Sequence, residues 1–254
     1  MIEVKHVKKY FSRPYREPGL KGAIKSLFTR KKVVTKAVDD ISFTIHDGEI
    51  VGYIGSNGAG KSTSLECILG TKKMDCGEVF ILGENPVKNR TSVFEKTGVQ
   101  FQEAKYQELI KVSELCENTA CVYKNAQDYK KLLSDFGIAD KADCFVKDLS
   151  GGERQRLFIV LALLPNPEVV FLDELTTGLD ARSRRDVWKI LEALKNRGLS
   201  ILLTSHFMDE VEALCDEILI LKKGKTVFSG TVAQAKAESK KEKFEDAYLW
   251  FTEE

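Results

Sequence analysis

Long apolar runs are missing from this chain of 254 residues. The longest, residues 157–164, falls far short of the ~18 residues a membrane-crossing helix needs, which excludes crossing a bilayer by helices of this kind. An excess of one charge is missing too. Lysine and arginine number 39 against 38 aspartates and glutamates, so there is no polyanion-binding signature and nucleic acid is not implied as a partner. No pair among the six cysteines (67, 76, 116, 121, 144 and 215) has C-x-x-C spacing. Zinc and disulfides are therefore not indicated. Most of these cysteines sit in apolar stretches and read as core thiols of a reducing cytosol. The opening Met-Ile-Glu-Val-Lys-His offers no apolar signal segment. Against these absences, 43% of the residues are hydrophobic, enough for the core of one large α/β domain or two small ones.

The stretch that organises the chain runs from Gly55 to Thr63, Gly-Ser-Asn-Gly-Ala-Gly-Lys-Ser-Thr, and fits G-x-x-x-x-G-K-[ST]. A short buried strand is predicted over 49–54 before it, and a helix from 64, closed by Gly70, after it. Strand, glycine loop and helix are what phosphate binding requires. Glycines let successive backbone N–H groups turn inward as a nest. The helix N-terminus adds a favourable dipole and free donors. Lys61 would reach the β- and γ-phosphates, and the Ser62 hydroxyl would complete a Mg²⁺ shell. An ordinary glycine-rich turn is the bland alternative; Lys-Ser at the helix start argues against it.

Residues 168–174, Glu-Val-Val-Phe-Leu-Asp-Glu, are an apolar run ending in two carboxylates, the pattern of a buried parallel strand. Ligands of an open α/β sheet sit at the C-terminal strand ends, so Asp173 and Glu174 would face the phosphate loop. One carboxylate can hold Mg²⁺ and the next can orient an attacking water. Ser205-His206 follows a further strand, 200–204. A lone histidine is usually structural, but at this strand end it fits a γ-phosphate sensor. Leu149-Ser150-Gly151-Gly152-Glu153 has capping-box spacing from Ser150 to Glu153 and starts a helix with exposed N–H donors, a second anion site. It lies too far along the chain to belong to the first loop.

Other strands are predicted over 2–11, 37–45, 78–83, 98–102, 217–221 and 226–229, and a helix up to about 196. Residues 108–147 are polar and helical. Residues 13–32 hold seven basic residues against one acid, Glu17, and place Leu20, Ile24, Leu27 and Phe28 on one helical face. That basic amphipathic segment either contacts a membrane surface or membrane partner, or packs on the domain with solvated lysines. The tail starts with Thr231 and Gln234 in capping-box spacing, ends in Phe244, Tyr248, Trp250 and Phe251, and is expected to pack back as a helix.

Taken in order, these motifs resemble those of the ATP-binding subunits of ABC transporters, over essentially the whole chain. The wording Thr-Thr-Gly-Leu-Asp, the length and the basic insertion look like the bacterial exporter type. Gly55, Ser56, Asn57, Gly58, Ala59, Gly60, Lys61, Ser62 and Thr63 look like the Walker A loop, and Gln102 like the Q-loop glutamine. Leu149, Ser150, Gly151, Gly152 and Glu153 look like the ABC signature. Residues 169–173 look like Walker B, Glu174 like the catalytic glutamate, 178–180 like the D-loop with Asp180, and His206 like the switch histidine. The resemblance implies an α/β fold, a P-loop NTPase core of ABC ATPase type over 1–230, its mixed sheet flanked by helices. An antiparallel β portion, an inserted helical subdomain at about 103–165 and a C-terminal helical extension, 231–254, complete it.

The same resemblance implies an ATPase that uses Lys61, Gln102, Glu174 and His206, with Mg²⁺ held by Ser62, Gln102 and Asp173. Tyr10 fits best as the aromatic that stacks on adenine. Two copies would pair head to tail in an ATP-dependent dimer, the signature of one covering the ATP held by the other. The transport path would lie in a separate transmembrane permease, met by the helical subdomain and residues 103–109. That would place the chain peripherally on the cytoplasmic side of the cell membrane. Leu175 stands where family members carry proline, with Glu174 intact. The alternative is a soluble ABC-type ATPase acting on ribosomes or nucleic acid. Such proteins carry two cassettes or a long insertion, and one cassette with neither is present. A cassette that only clamps ATP is a third reading; intact Lys61, Asp173, Glu174 and His206 argue against it.

Overall fold

A computed structural model of the chain describes residues 1–14, 32–101, 106, 107 and 109–253. Residues 15–31 of the basic amphipathic segment and Gln102 lie outside the described residues, as do 103–105 and 108 of the expected permease-facing loop.

Two sheets frame the molecule. The larger has six strands in the order β5 (Thr97–Gln100), β6 (Val169–Asp173), β7 (Ser200–Ser205), β3 (Ile50–Gly55), β8 (Glu217–Lys222), β9 (Lys225–Gly230). All neighbours pair in parallel except β9, which is antiparallel to β8 at the edge. Every residue of β3, β6 and β7 is buried, which is why these strands read as apolar runs rather than as alternating ones. Alternate side chains serve different layers. Val51, Tyr53, Phe171 and Leu202 pack toward α1 (Lys61–Ile68) and the smaller sheet. Ile50, Val170, Leu172, Ile201 and Leu203 pack on the opposite face toward α5 (Gly151–Leu163) and α6 (Ala181–Lys195). Burial of such a side chain contributes about 1.5–3 kcal/mol, so this sheet is the rigid platform of the fold.

The smaller sheet is antiparallel, β2 (Lys32–Ile45), β1 (Ile2–Pro14), β4 (Cys76–Ile81). Its β1–β2 ladder continues to the pair Pro14 and Lys32, well past the strands expected at 2–11 and 37–45. Residues 11–13 and 32–36 are exposed, so no buried face imposed an apolar alternation there. Arg13, Pro14 and Lys32, at the two ends of the basic segment, are thus strand residues.

The polar stretch 108–147 forms α3 (Val112–Ala120), α4 (Tyr129–Asp135) and two short 3-10 turns, Ala139–Lys141 and Val146–Asp148. A short helix α2 (Arg90–Phe94) precedes β5, and α7 (Met208–Leu214) follows β7. The tail is two helices rather than one, α8 (Val232–Ser239) and α9 (Phe244–Thr252), broken at Lys240 in the left-handed region (φ 56°). Phe244, Ala247 and Phe251 of α9 pack with Phe228, Val211 and Ile218. The cysteines divide. Cys67 and Cys116 are core residues whose thiols burial pushes up to about 11 and about 12, whereas Cys76 and Cys121 are exposed, unlike the core thiols expected.

Candidate functional site

The glycine loop joins β3 to α1 and is fixed from below. Gly60 caps α1 with φ 109°, and a Cβ there would lie 2.2 Å from the Ala37 carbonyl oxygen of β2, so only glycine fits. The Tyr53 hydroxyl, in a fully buried side chain, donates to Ser64 Oγ at 2.7 Å, and Ser64 Oγ donates to the Gly60 carbonyl at 2.8 Å. Burial raises the Tyr53 phenol and keeps it a donor. Above the loop opens a cavity of about 970 Å³. Its floor is Ser56–Gly58 and Gly60–Thr63; Glu174, Thr177 and His206 form one wall, and Thr35–Ala37 with Lys223 another. A cavity of that size, with a lysine and hydroxyls in its lining and set over a helix N-terminus and a loop of N–H donors, suits a nucleoside triphosphate.

The larger sheet places β7 between β3 and β6, and this order builds the reactive wall. Register sets Thr204 opposite both Tyr53 of β3 and Asp173 of β6. The fully buried Thr204 hydroxyl donates to Asp173 Oδ1 and accepts the Glu174 N–H at 2.9 Å, while the Thr204 carbonyl accepts that N–H at 3.1 Å. Glu174 itself has φ 50°, a left-handed conformation that costs a non-glycine residue about 1–3 kcal/mol and turns its carboxylate off the strand end. Glu174 Oε1 lies 3.7 Å from Lys61 Nζ, and Oε2 lies 3.6 Å from His206 Nδ1. Lys61 Nζ also donates to the Gly55 carbonyl at 2.7 Å. Lys61 is nearly buried, whereas the His206 side chain is 40% exposed at the mouth.

Sequence-predicted residues therefore divide into three groups. Lys61, Ser62, Thr63, Glu174 and His206 meet on one cavity, with Asp173 tied behind Glu174 through Thr204. Tyr10 does not line it. Its hydroxyl donates to Asp39 Oδ1 at 2.8 Å, and the Lys36 ammonium lies 5.5 Å over its ring. The signature residues also lie off the cavity. Ser150 caps α5: its N–H and hydroxyl donate to Glu153 Oε2 at 2.9 and 2.8 Å, and its Oγ accepts the Glu153 N–H. Those donors, with Lys141 3.3 Å away, hold the Glu153 carboxyl below the ordinary glutamate range. Asp180 caps α6, accepting the Arg182 and Ser183 N–H groups at 2.9 Å, and the Ser183 donors hold its carboxyl low. The two helix starts touch, because a Cβ on Gly152 would meet Ser183 Oγ at 2.9 Å.

Thr204, Thr177, Lys223 and the β2 edge at Thr35–Ala37 were not foreseen. Thr204 had a signal: it stands between the apolar run Ile201-Leu202-Leu203 and Ser205-His206. The rest come from loops and an edge that only the tertiary fold brings over the phosphate nest.

A strand–glycine loop–helix, a lysine in the nest and a carboxylate fixed across from it define a P-loop nucleotide-binding protein. Comparison with known proteins agrees. A family model described as ABC transporter matches residues 38–177, more than half of the chain. The ABC transporter ATP-binding protein NatA of Bacillus subtilis (strain 168) is 35% identical over 211 residues, 81% of this chain and 86% of its own length. The Nod factor export ATP-binding protein I of a Burkholderia lata strain is 38% identical over 202 residues, 76% of this chain and 65% of its own. The daunorubicin/doxorubicin resistance ATP-binding protein DrrA of Streptomyces peucetius is 32% identical over 212 residues, 80% of this chain and 63% of its own. The chain thus spans just under two thirds of the latter two relatives. Among solved structures, an ATP-binding subunit of an ABC transporter superposes with TM-score 0.80 at 23% identity, over 98% of each chain. A dimeric ATP-binding cassette bound to ADP and Pi superposes with TM-score 0.73 at 23% identity, over 91% of this chain and 98% of its own. The chain belongs to the ABC transporter family.

Proposed function

We propose that the chain is the ATP-hydrolysing subunit of an ABC exporter, binding MgATP between two copies arranged head to tail and driving a separate membrane permease. One observation carries this reading. Lys61, Glu174 and His206 converge on the cavity, while Ser150–Gly152, a second set of phosphate-type donors, stands outside it. A single copy therefore leaves the nest half covered, and the signature of a second copy supplies the missing donors.

The chemistry follows from the groups present. The loop N–H groups cradle the phosphates, and the Lys61 ammonium leaves the Gly55 carbonyl to bridge β- and γ-oxygens. Ser62, Asp173 and Gln102 would hold Mg²⁺, which when bound neutralises charge on the phosphate oxygens. Glu174, aimed by its own backbone and by Thr204, orients the attacking water and accepts its proton, and His206 faces the γ-phosphate side. Adenine stacks on Tyr10 once Lys36, which lines the cavity, leaves the ring. The ATPase core is 1–230, with the helical subdomain and the loop after Gln102 meeting the permease on the cytoplasmic side of the membrane. No helix among the described residues is long and apolar enough to cross a membrane, which agrees with a separate permease. Export is the direction because relatives 32–38% identical are named for export or drug resistance.

The test is Glu174→Gln, which keeps size and polarity but cannot take a proton. It should bind ATP, cease turnover and run as a dimer on gel filtration only when ATP is present. Undiminished turnover, or a monomer at saturating ATP, would refute the reading.

A further inference from the structure

Behind His206 lies a buried acid that does not reach the cavity. Glu210, in α7, is 1% exposed. One of its carboxylate oxygens accepts the Ser205 hydroxyl at 2.5 Å, and the other accepts the Trp188 indole N–H at 3.0 Å. Thr176, in the loop after Glu174, also favours its charged form. The three residues belong to different segments. Ser205 ends β7 directly before His206; Thr176 lies two residues beyond Glu174; Trp188 is on α6, the helix that Asp180 caps. Ser205 Oγ also accepts the Phe207 N–H at 3.0 Å, so the residues on both sides of His206 are tied to Glu210 through one hydroxyl. The Phe207 ring lies 4.2 Å from the imidazole, and the Arg184 guanidinium of α6 lies 3.9 Å over that same ring.

Placing a carboxylate in the interior is unfavourable unless donors surround it. Burial raises the Glu210 pKa, and Ser205, Thr176 and Trp188 oppose that rise. Indole N–H can only donate, and the ionised carboxylate can only accept, so the Trp188 and Ser205 donors match it. A salt-free apolar residue of the same volume would have filled this space without the desolvation. What Glu210 adds is a junction between three segments that each carry a piece of the reactive wall.

We propose that Glu210 is the positioning residue of the switch. It locks Ser205–Phe207 against α6 and against the loop after Glu174, and so holds His206 Nδ1 within reach of the Glu174 carboxylate. This rests on the ATPase reading of Lys61, Glu174 and His206. In the full chain with MgATP, Glu210→Ala should lower kcat about tenfold or more, because ångström-scale misplacement costs that much, while KM stays within about threefold since the nest is untouched. Glu210→Gln keeps one oxygen for Trp188 and lets the Ser205 hydroxyl turn to accept from its amide, so it should restore kcat to within about threefold of wild type. In a His206→Ala background, Glu210→Ala should add less than about a twofold loss, because its effect runs through His206. Wild-type turnover and its loss in His206→Ala report on the ATPase reading; the Glu210 comparisons report on this inference alone. A folded Glu210→Ala chain with kcat within about twofold of wild type, or losses that multiply in the double variant, would overturn it. If the alanine variant does not fold, Trp188→Phe removes one donor and keeps the ring: kcat should fall about two- to fivefold at constant KM, and an unchanged kcat overturns the inference.

Discussion

Thr204→Val is the perturbation that separates this account from one resting on sequence motifs, because no motif contains Thr204. Valine keeps the shape and strand preference of threonine and removes only the hydroxyl. That hydroxyl is fully buried and makes two bonds, to Asp173 Oδ1 and from the Glu174 N–H. The first is a bond to a carboxylate, worth about 1.5–3 kcal/mol; the second is partly replaced, because the carbonyl of residue 204 still accepts the same N–H at 3.1 Å. A net loss of about 2–3 kcal/mol follows. For a domain of this size that corresponds to a fall of roughly 4–12 °C in Tm. Catalysis should fall as well. Glu174 depends on that N–H contact to hold its left-handed backbone, so kcat should drop at least about tenfold with KM for ATP nearly constant. Calorimetry and steady-state ATPase assays on the purified chain read both quantities. A Thr204→Val protein that melts within about 1 °C of wild type and turns over at the wild-type rate would refute the argument that β7 organises the reactive wall.

Gly60→Ala must push a methyl group against the Ala37 carbonyl at 2.2 Å, so the loop cannot keep its shape. Titration with a fluorescent ATP analogue should show affinity falling about a hundredfold or more, and near-normal binding would contradict the loop geometry. The Glu153 carboxyl is held below its ordinary range, chiefly by the Ser150 N–H and hydroxyl, so it contributes stability above the unfolded glutamate pKa and loses it as pH falls through the folded value. Urea midpoints of wild type and Glu153→Gln should therefore differ at neutral pH and converge in acid; a constant gap would contradict the assignment. Asp180→Ala removes the acceptor for two N–H groups of α6 and should cost about 1 kcal/mol in the same assay, with Asp180→Asn recovering most of it.

What the sequence made legible is what the backbone demands locally. Gly60, Lys61 and Ser62 sit at fixed spacing because a nest needs glycine dihedrals and a helix start, and that requirement is written in nine consecutive residues. The β6 run was legible because burial on both faces leaves no room for alternation. Ser150 and Glu153, and Thr231 and Gln234, announced helix starts through side-chain spacing, and both capping boxes are present. Features set by strand order were not legible. The role of Thr204 depends on β7 lying between β3 and β6, which no local pattern encodes. The extension of β1 and β2 to Pro14 and Lys32 carries exposed residues and so left no periodic trace. The break between α8 and α9 falls at Lys240, where neither glycine nor proline marks a stop. The hydrogen bond from Tyr10 to Asp39 and the Lys36 ammonium over its ring depend on tertiary placement and leave no trace in one dimension.

The pairing of two copies over shared ATP is tested most directly by mixing two inactive variants. Lys61→Ala removes the ammonium of the nest, and Ser150→Asp keeps the α5 cap while placing a negative charge where the signature would meet a phosphate. Each alone should be inactive. A mixed pair would contain one doubly damaged site and one intact site, so the account predicts that turnover returns on mixing the two proteins. Turnover that stays at the level of the separate variants, although the mixed dimer forms, would show that the signature does not act across the interface and would contradict the account.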